Sequence, residues 1–191
     1  MSEILTIDTA AGIQQIEKVN PLPVHGEDYF MLSIPIPEYK GEFPTPAMVH
    51  LAKRLRTTMK LYSGLGLSAN QCGVAERMFV VGFDDFQITC LNPKIKMMSA
   101  NKIKEKEGCL SYPGLFLNVE RPEWIDVEFL TEHGEKKEMR LEGLTARCFM
   151  HEMDHMNGIN YTNYVKPLAL RMARQKATKL VKKIIRQSKK Q

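Results

Sequence analysis

Long apolar runs are missing from this sequence. The longest, Met78 to Val81 with Phe83 just beyond, is far too short to span a bilayer. Basic residues are scarce at the start: the first thirty positions hold Lys18 and no arginine, against Glu3, Asp8, Glu17, Glu27 and Asp28. That pattern fits neither a secretory signal nor a transit peptide. The four cysteines, Cys72, Cys90, Cys109 and Cys148, form no C-x-x-C pair. They are expected as reduced thiols in a cytoplasmic setting. Internal repeats and low-complexity tracts are absent, which excludes a solenoid. Two further absences bear on chemistry: no acidic residue follows Asp154, and no histidine follows His155.

What is present is ordinary for a globular chain. It has 191 residues, 43% hydrophobic and 26% charged, enough for one domain with a sizeable core. The charge is unevenly spread. Lys166 to Gln191 carries ten basic residues and no acidic one, while the remainder holds 17 basic against 22 acidic residues, a net of −5. A mildly acidic body with a basic tail suggests an anionic partner such as nucleic acid. A solvated helix face that aids solubility fits the charge equally well.

Residues 1–43 read as a Pro-rich, irregular arm (Pro21, Pro23, Pro35, Pro37) with short extended pieces. Thr45-Pro46 is a helix start, and Leu51, Leu55, Met59 and Tyr62 then line one face up to Gly64. Strand-like pieces follow at 77–83, 88–92, 95–98 and 124–130, with a turn at 131–135 leading to 136–141. A helix is expected over about 145–157, stopped by Gly158. After Pro167 a long helix carries Met172, Ala173, Ala177, Leu180, Val181 and Ile184 on one side. Strands followed by helices indicate an α+β domain. The expected division is a catalytic domain over 1–165 and a basic helix over 166–191.

Three stretches carry chemistry. His151-Glu152-Met153-Asp154-His155 reads H-E-x-x-H. Two histidines four apart on one helix face can grip a divalent metal, and the glutamate can take a proton from metal-bound water. The third ligand must lie upstream, because Tyr161 stands where a downstream histidine would be and no carboxylate follows Asp154. Candidates are Cys72, Cys90, Cys109, Cys148, His25, His50, His133 or a carboxylate. Cys109 leads, since its segment Glu107-Gly108-Cys109-Leu110-Ser111-Tyr112-Pro113-Gly114 can fold closely around an ion. Cys148 lies one turn before His151 and fits better as a small core residue. The third stretch is Gly64-Leu65-Gly66-Leu67-Ser68-Ala69-Asn70-Gln71-Cys72-Gly73. Its glycines let backbone approach a ligand, and Gln71 offers an amide donor to an oxyanion. Alone, this stretch reads more simply as a tight turn with a surface amide.

Together the three stretches resemble the peptide deformylase family, in order and spacing, over about Gly64 to Gly158. The resemblance implies an α+β fold of antiparallel or mixed β-sheets packed around a central helix carrying H-E-x-x-H, with an N-terminal helix and a basic C-terminal helix. It implies that Cys109, His151 and His155 bind a metal, ordinarily Fe²⁺, with Zn²⁺ or Ni²⁺ able to substitute. The donor set alone would have favoured zinc. Glu152 would act as general base and then acid. Gln71 and the Leu110 backbone N–H would form the oxyanion site, Gly66 backbone would seat the substrate, and Leu65, Leu144 and Cys148 would line a methionine pocket. The implied reaction is hydrolysis of N-formylmethionyl nascent peptides to formate and a free N-terminus in the cytoplasm of a bacterial or phage-infected cell, without a membrane partner. The basic helix would dock on the ribosome.

Two side chains, Asp154 and Arg147, carry further expectations. Asp154 should pair with Arg121, with Glu107 nearby, bracing the cysteine loop against the helix. Arg147 departs from the apolar residue often found at its position and is expected as a rim charge. The rival readings are an H-E-x-x-H metallopeptidase, against which the missing downstream ligands argue, and an inactive ribosome- or RNA-binding module, which predicts loss of Glu152 or Gln71.

Overall fold

The computed structural model describes residues 3–9, 12–83 and 86–188, with side chains from Val19 to Gln187 among them. The start of the expected irregular arm is a backbone hairpin instead: β1 (Glu3–Thr9) pairs antiparallel with β2 (Gly12–Lys18). The prolines begin only at Pro21, so nothing in the first eighteen residues blocks a ladder. From Val19 to Thr45 the chain is irregular apart from a 3₁₀ turn at Phe30–Ser33.

Helix α1 (Pro46–Leu61) starts as expected, with the Thr45 hydroxyl accepting from Met48 N and proline in the first turn. Met48, Ala52, Leu55 and Met59 are buried, whereas Leu51 is half-buried. Tyr62 lies past the helix end and is exposed, so the 3.6-residue spacing does not carry its ring inward. The main sheet runs β3 (Gly66–Ser68), β4 (Met78–Phe83), β5 (Phe86–Met98), β8 (Trp124–Leu130), β9 (Lys136–Glu142), all antiparallel. The two expected strands at 88–92 and 95–98 are one strand, β5. Asn92-Pro93 sits in a register shift that absorbs the proline, with Asn92 at φ 49°. Its side-chain amide donates to Tyr39 O and accepts from Tyr39 N, both at 2.8 Å.

β4 is buried on both faces. Met78 and Val80 face α1, and Phe79 and Val81 belong to the cluster containing α2 (Gly143–Met156). A second sheet that the sequence reading leaves unassigned is the hairpin of β6 (Lys102–Cys109) and β7 (Tyr112–Pro122). The alternation Leu115, Leu117, Val119 is its signal. It was masked because Arg121 continues the inward face and β6 reads as nearly all charge. The sheet thus flanks α2 on one side and the hairpin on another. Helix α3 (Pro167–Ser188) packs on β7 through Ala173, Ala177 and Leu170. The expected apolar side is only partly used: Met172, Leu180 and Ile184 are exposed, because one narrow hairpin covers only a strip of the helix. Among the described residues no helix is long and apolar enough to cross a membrane.

Candidate metal centre and substrate pocket

Helix α2 begins two residues earlier than expected. Thr145 Oγ1 donates to Glu142 O (2.7 Å) and accepts from Glu142 N (3.3 Å), fixing the first turn. Its other end is closed by Gly158 at φ 69°, where a Cβ would lie 2.7 Å from the Ile34 carbonyl carbon. Arg77 then binds the last turn, donating from Nη1 to Met156 O (2.8 Å) and Ile36 O (2.9 Å). Asn70 Nδ2 adds a bond to His155 O at 2.8 Å. The helix is therefore held at both ends, and its inner face carries His151 and His155 to the end of β6.

There Cys109 meets them. One donor atom from each of Cys109, His151 and His155 lies within 4.8 Å of the others, and Cys109 Sγ is 3.3 Å from His155 Nε2. His155 is fully buried. Burial and the neighbouring His151 hold its pKa well below the ordinary value, so the ring is neutral. His151 Nδ1 lies 3.2 Å from Glu107 Oε2, which leaves Nε2 as its donor toward a cation. Burial opposes a charge on His151, but Cys109 and Glu107 beside it raise its pKa. One thiol and two imidazole donors converging from two elements suit a divalent metal with one position left open. Cys72 and Cys148 are not part of this set: burial pushes both thiols up to about 12, and Cys90 is fully buried among apolar residues.

Glu152 is 4% exposed and Oε2 has no hydrogen-bond partner among the described residues. Burial lifts its carboxyl to about 7 against the opposing pull of His151 and Ser68. Gly66 faces it so closely that a Cβ would sit 2.5 Å from Oε1. Gln71 is buried, not a surface amide. Its Oε1 accepts from Ser68 N (3.0 Å) and Ser68 Oγ (2.9 Å), which fixes the amide's direction. Nε2 therefore points toward the centre, donating to Ser111 Oγ (3.1 Å) and Cys109 Sγ (3.3 Å). Ser68 and Ser111 were given no role from sequence, although both lie inside the motifs quoted above.

The expected brace is present. Arg121 donates to Asp154 Oδ2 at 2.6 Å and to both oxygens of Glu107 at 2.9 Å. Tyr164 adds a hydroxyl donor to Asp154 Oδ1 (3.0 Å), and the Arg121 guanidinium lies over its ring. Burial alone would raise Glu107, but its bonds from Arg121 and His151 win and hold it at about 2. Arg147 is a correction. It is not a rim charge but is 5% exposed. Glu105, Glu107 and the carbonyls of Val119 and Ile103 accept its N–H groups. A fork of donors with enough acceptors can be buried where a lone charge cannot.

Gln71, Cys109, His151 and Glu152 open on one cavity of about 650 Å³. Leu65, Leu144 and Cys148 line it as expected, the first two while partly exposed. Tyr62, His25 and Phe116 also line it and were not anticipated. Gly64 to Gly66 form one lip, at the outer edge of the sheet, because among the described residues β3 pairs only with β4.

Comparison with known proteins bears on this geometry. A family model described as polypeptide deformylase matches residues 24–171. The peptide deformylase of Aquifex aeolicus is 41% identical over 139 residues, covering 70% of this chain and 82% of that protein. A crystal structure of a peptide deformylase from Legionella pneumophila superposes with a TM-score of 0.79 at 31% identity, covering 87% of this chain and 99% of that one. One from Synechococcus elongatus, in complex with actinonin, gives 0.78 at 32% identity, covering 83% and 86%. The peptidase reading gives way, since the third donor comes from an upstream hairpin. The inactive-module reading gives way too, since Glu152 and Gln71 both face the cavity. Matched across most of its length in sequence and in fold, this chain belongs to the polypeptide deformylase family, metal-dependent hydrolases that remove the N-formyl group of nascent peptides.

Proposed function

We propose that Cys109, His151 and His155 hold a divalent metal, ordinarily Fe²⁺, and that Glu152, Gln71 and the Leu110 N–H carry out hydrolysis of the formyl amide of N-formylmethionyl peptides. The convergence of three donors beside a buried carboxylate, one of whose oxygens has no partner among the described residues, is the observation that supports this most. Bound there, the metal supplies a Lewis acid that makes water a nucleophile near neutral pH.

The chain's own residues do the rest. Glu152 accepts the proton of the attacking water as oxygen bonds to the formyl carbon. The carbonyl oxygen gains charge, and Gln71 Nε2, already aimed by Ser68, donates to it together with the Leu110 N–H. Glu152 then returns its proton to the amine nitrogen as the C–N bond breaks. Formate leaves, and the peptide keeps a free N-terminus. Burial of the carboxyl favours its holding the proton between the two halves of that transfer. Gly66 backbone seats the extended peptide at the open edge of β3, in the manner of an added strand. Leu65, Leu144 and Cys148 receive the methionine side chain. The absence of a side chain at Gly66 lets Glu152 lie against that backbone, where a Cβ would come within 2.5 Å of Oε1. The basic helix α3 extends the partner set to the ribosome, through Lys179, Lys182, Lys183 and Arg186 on its exposed side.

Glu152→Gln tests the assignment. Formate release from a formyl-Met peptide should fall about 10²–10⁴-fold, with metal content retained. Full activity in that variant would sink the mechanism.

A further inference from the structure

We propose that Arg147 is a positioning residue for the metal centre, holding His151 at the right distance from Cys109 through their common partner Glu107. The inference rests on the metal-binding reading above. The centre draws its donors from two elements, two from α2 and one from β6, so their separation depends on what ties helix to hairpin. Arg147 lies one helical turn before His151 and shares its face.

Its bonds go to the hairpin alone. Nε donates to Glu105 Oε2 at 3.0 Å, Nη1 to Glu107 Oε1 at 2.6 Å and Val119 O at 3.0 Å, and Nη2 to Ile103 O at 2.7 Å. Three of these acceptors are on β6 and one is on β7. Glu107 is the hinge of the arrangement. Its Oε1 takes Arg147 and Arg121, and its Oε2 takes Arg121 and His151 Nδ1. Arg121 reaches Glu107 from the hairpin's own second strand, so that bond fixes the carboxylate within the hairpin. Only bonds from α2 register the helix against it, and Arg147 supplies the shorter of the two to Glu107. With Arg147 removed, the His151 contact at 3.2 Å and, one turn further on, the Asp154–Arg121 pair at 2.6 Å would have to hold the helix against the hairpin.

The test separates positioning from packing. Arg147→Met keeps much of the apolar stem and deletes the fork. Arg147→Lys keeps one charged donor. Arg140→Met removes an exposed arginine bonded to Asp126 on the main sheet and serves as control. Metal-free protein is titrated with Ni²⁺ against a chelator, and the melting temperature of each metal-free variant is recorded. Ni²⁺ affinity should fall about 10–100-fold in the Met variant, by less in the Lys variant, and not at all in the control. A Met variant that is folded and binds Ni²⁺ within twofold of the parent overturns the proposal. If the Met variant does not fold, a Lys variant with parental affinity overturns it instead. Failure of the unaltered chain to bind any divalent metal would overturn the functional reading itself, a different outcome.

Discussion

At the scale of single residues, Gly66 shows how little space the reaction centre has to spare. Its Cβ would lie 2.5 Å from Glu152 Oε1 and 2.9 Å from Glu152 Cγ, and Glu152 is itself fixed in a buried helix. Gly66→Ala should therefore displace the carboxylate without disturbing the strand, whose backbone at this position is ordinary. We expect kcat/KM for a formyl-Met peptide to fall by at least about tenfold, since small misplacements at a reacting centre are expensive, with the melting temperature little changed. Unaltered kinetics would mean the carboxylate has another resting place. The cysteines make the complementary point. From sequence all four were open as ligands, and one lies with the histidines, while burial keeps Cys72 and Cys148 as thiols.

At the scale of elements, α2 was legible and the β6–β7 hairpin was not. The helix carries apolar residues at helical spacing and ends at a glycine that its backbone requires. The hairpin hides its strand period beneath charges, two of which are structural: Glu107 and Arg121 form a buried cluster with Arg147 of α2, and losing one member costs about 3–5 kcal/mol in such settings. Helix α3 divides its residues between two tasks. Ala173 and Ala177 pack on β7, and Val181 closes over Gly114. Lys179, Lys182, Lys183 and Arg186 face solvent. Reversing those four to glutamate should weaken ribosome binding and flatten its salt dependence. Turnover of a short formyl peptide and the melting temperature should stay near parental values. Equal ribosome affinity before and after reversal would leave α3 with packing alone.

At the scale of the whole molecule, α1 is joined to the main sheet by a polar link remote from the reaction centre. Arg56 in α1 donates to Glu132, just after β8, and to Thr89 on β5. Burial works to raise the Glu132 pKa, but its backbone bond and Arg56 outweigh it and the net shift is downward. A depressed carboxyl stabilises the fold above its unfolded value of about 4.3, and that contribution is lost as pH falls through the lower folded value. Glu132→Gln should therefore cost about 1–3 kcal/mol at pH 7, and progressively less relative to the parent as pH falls below about 4. A cost independent of pH in chemical denaturation would show that the carboxylate's charge is not what matters.

The sequence by itself determined the reaction class. H-E-x-x-H with nothing acidic or imidazole downstream forced the third ligand upstream, and the order of the three stretches pointed to one family. It also determined the helix boundaries to within a few residues and the Arg121–Asp154 pairing. The tertiary structure brought Cys109, already the leading upstream donor, to the histidines by a hairpin whose alternation of Leu115, Leu117 and Val119 is overlaid by charge. It alone fixed the direction of the Gln71 amide, which depends on Ser68 N. It also turned Arg147 from a surface charge into a buried link. Burial of a polar group depends on partners brought in from Ile103, Glu105, Glu107 and Val119, and no spacing along one chain segment can announce them.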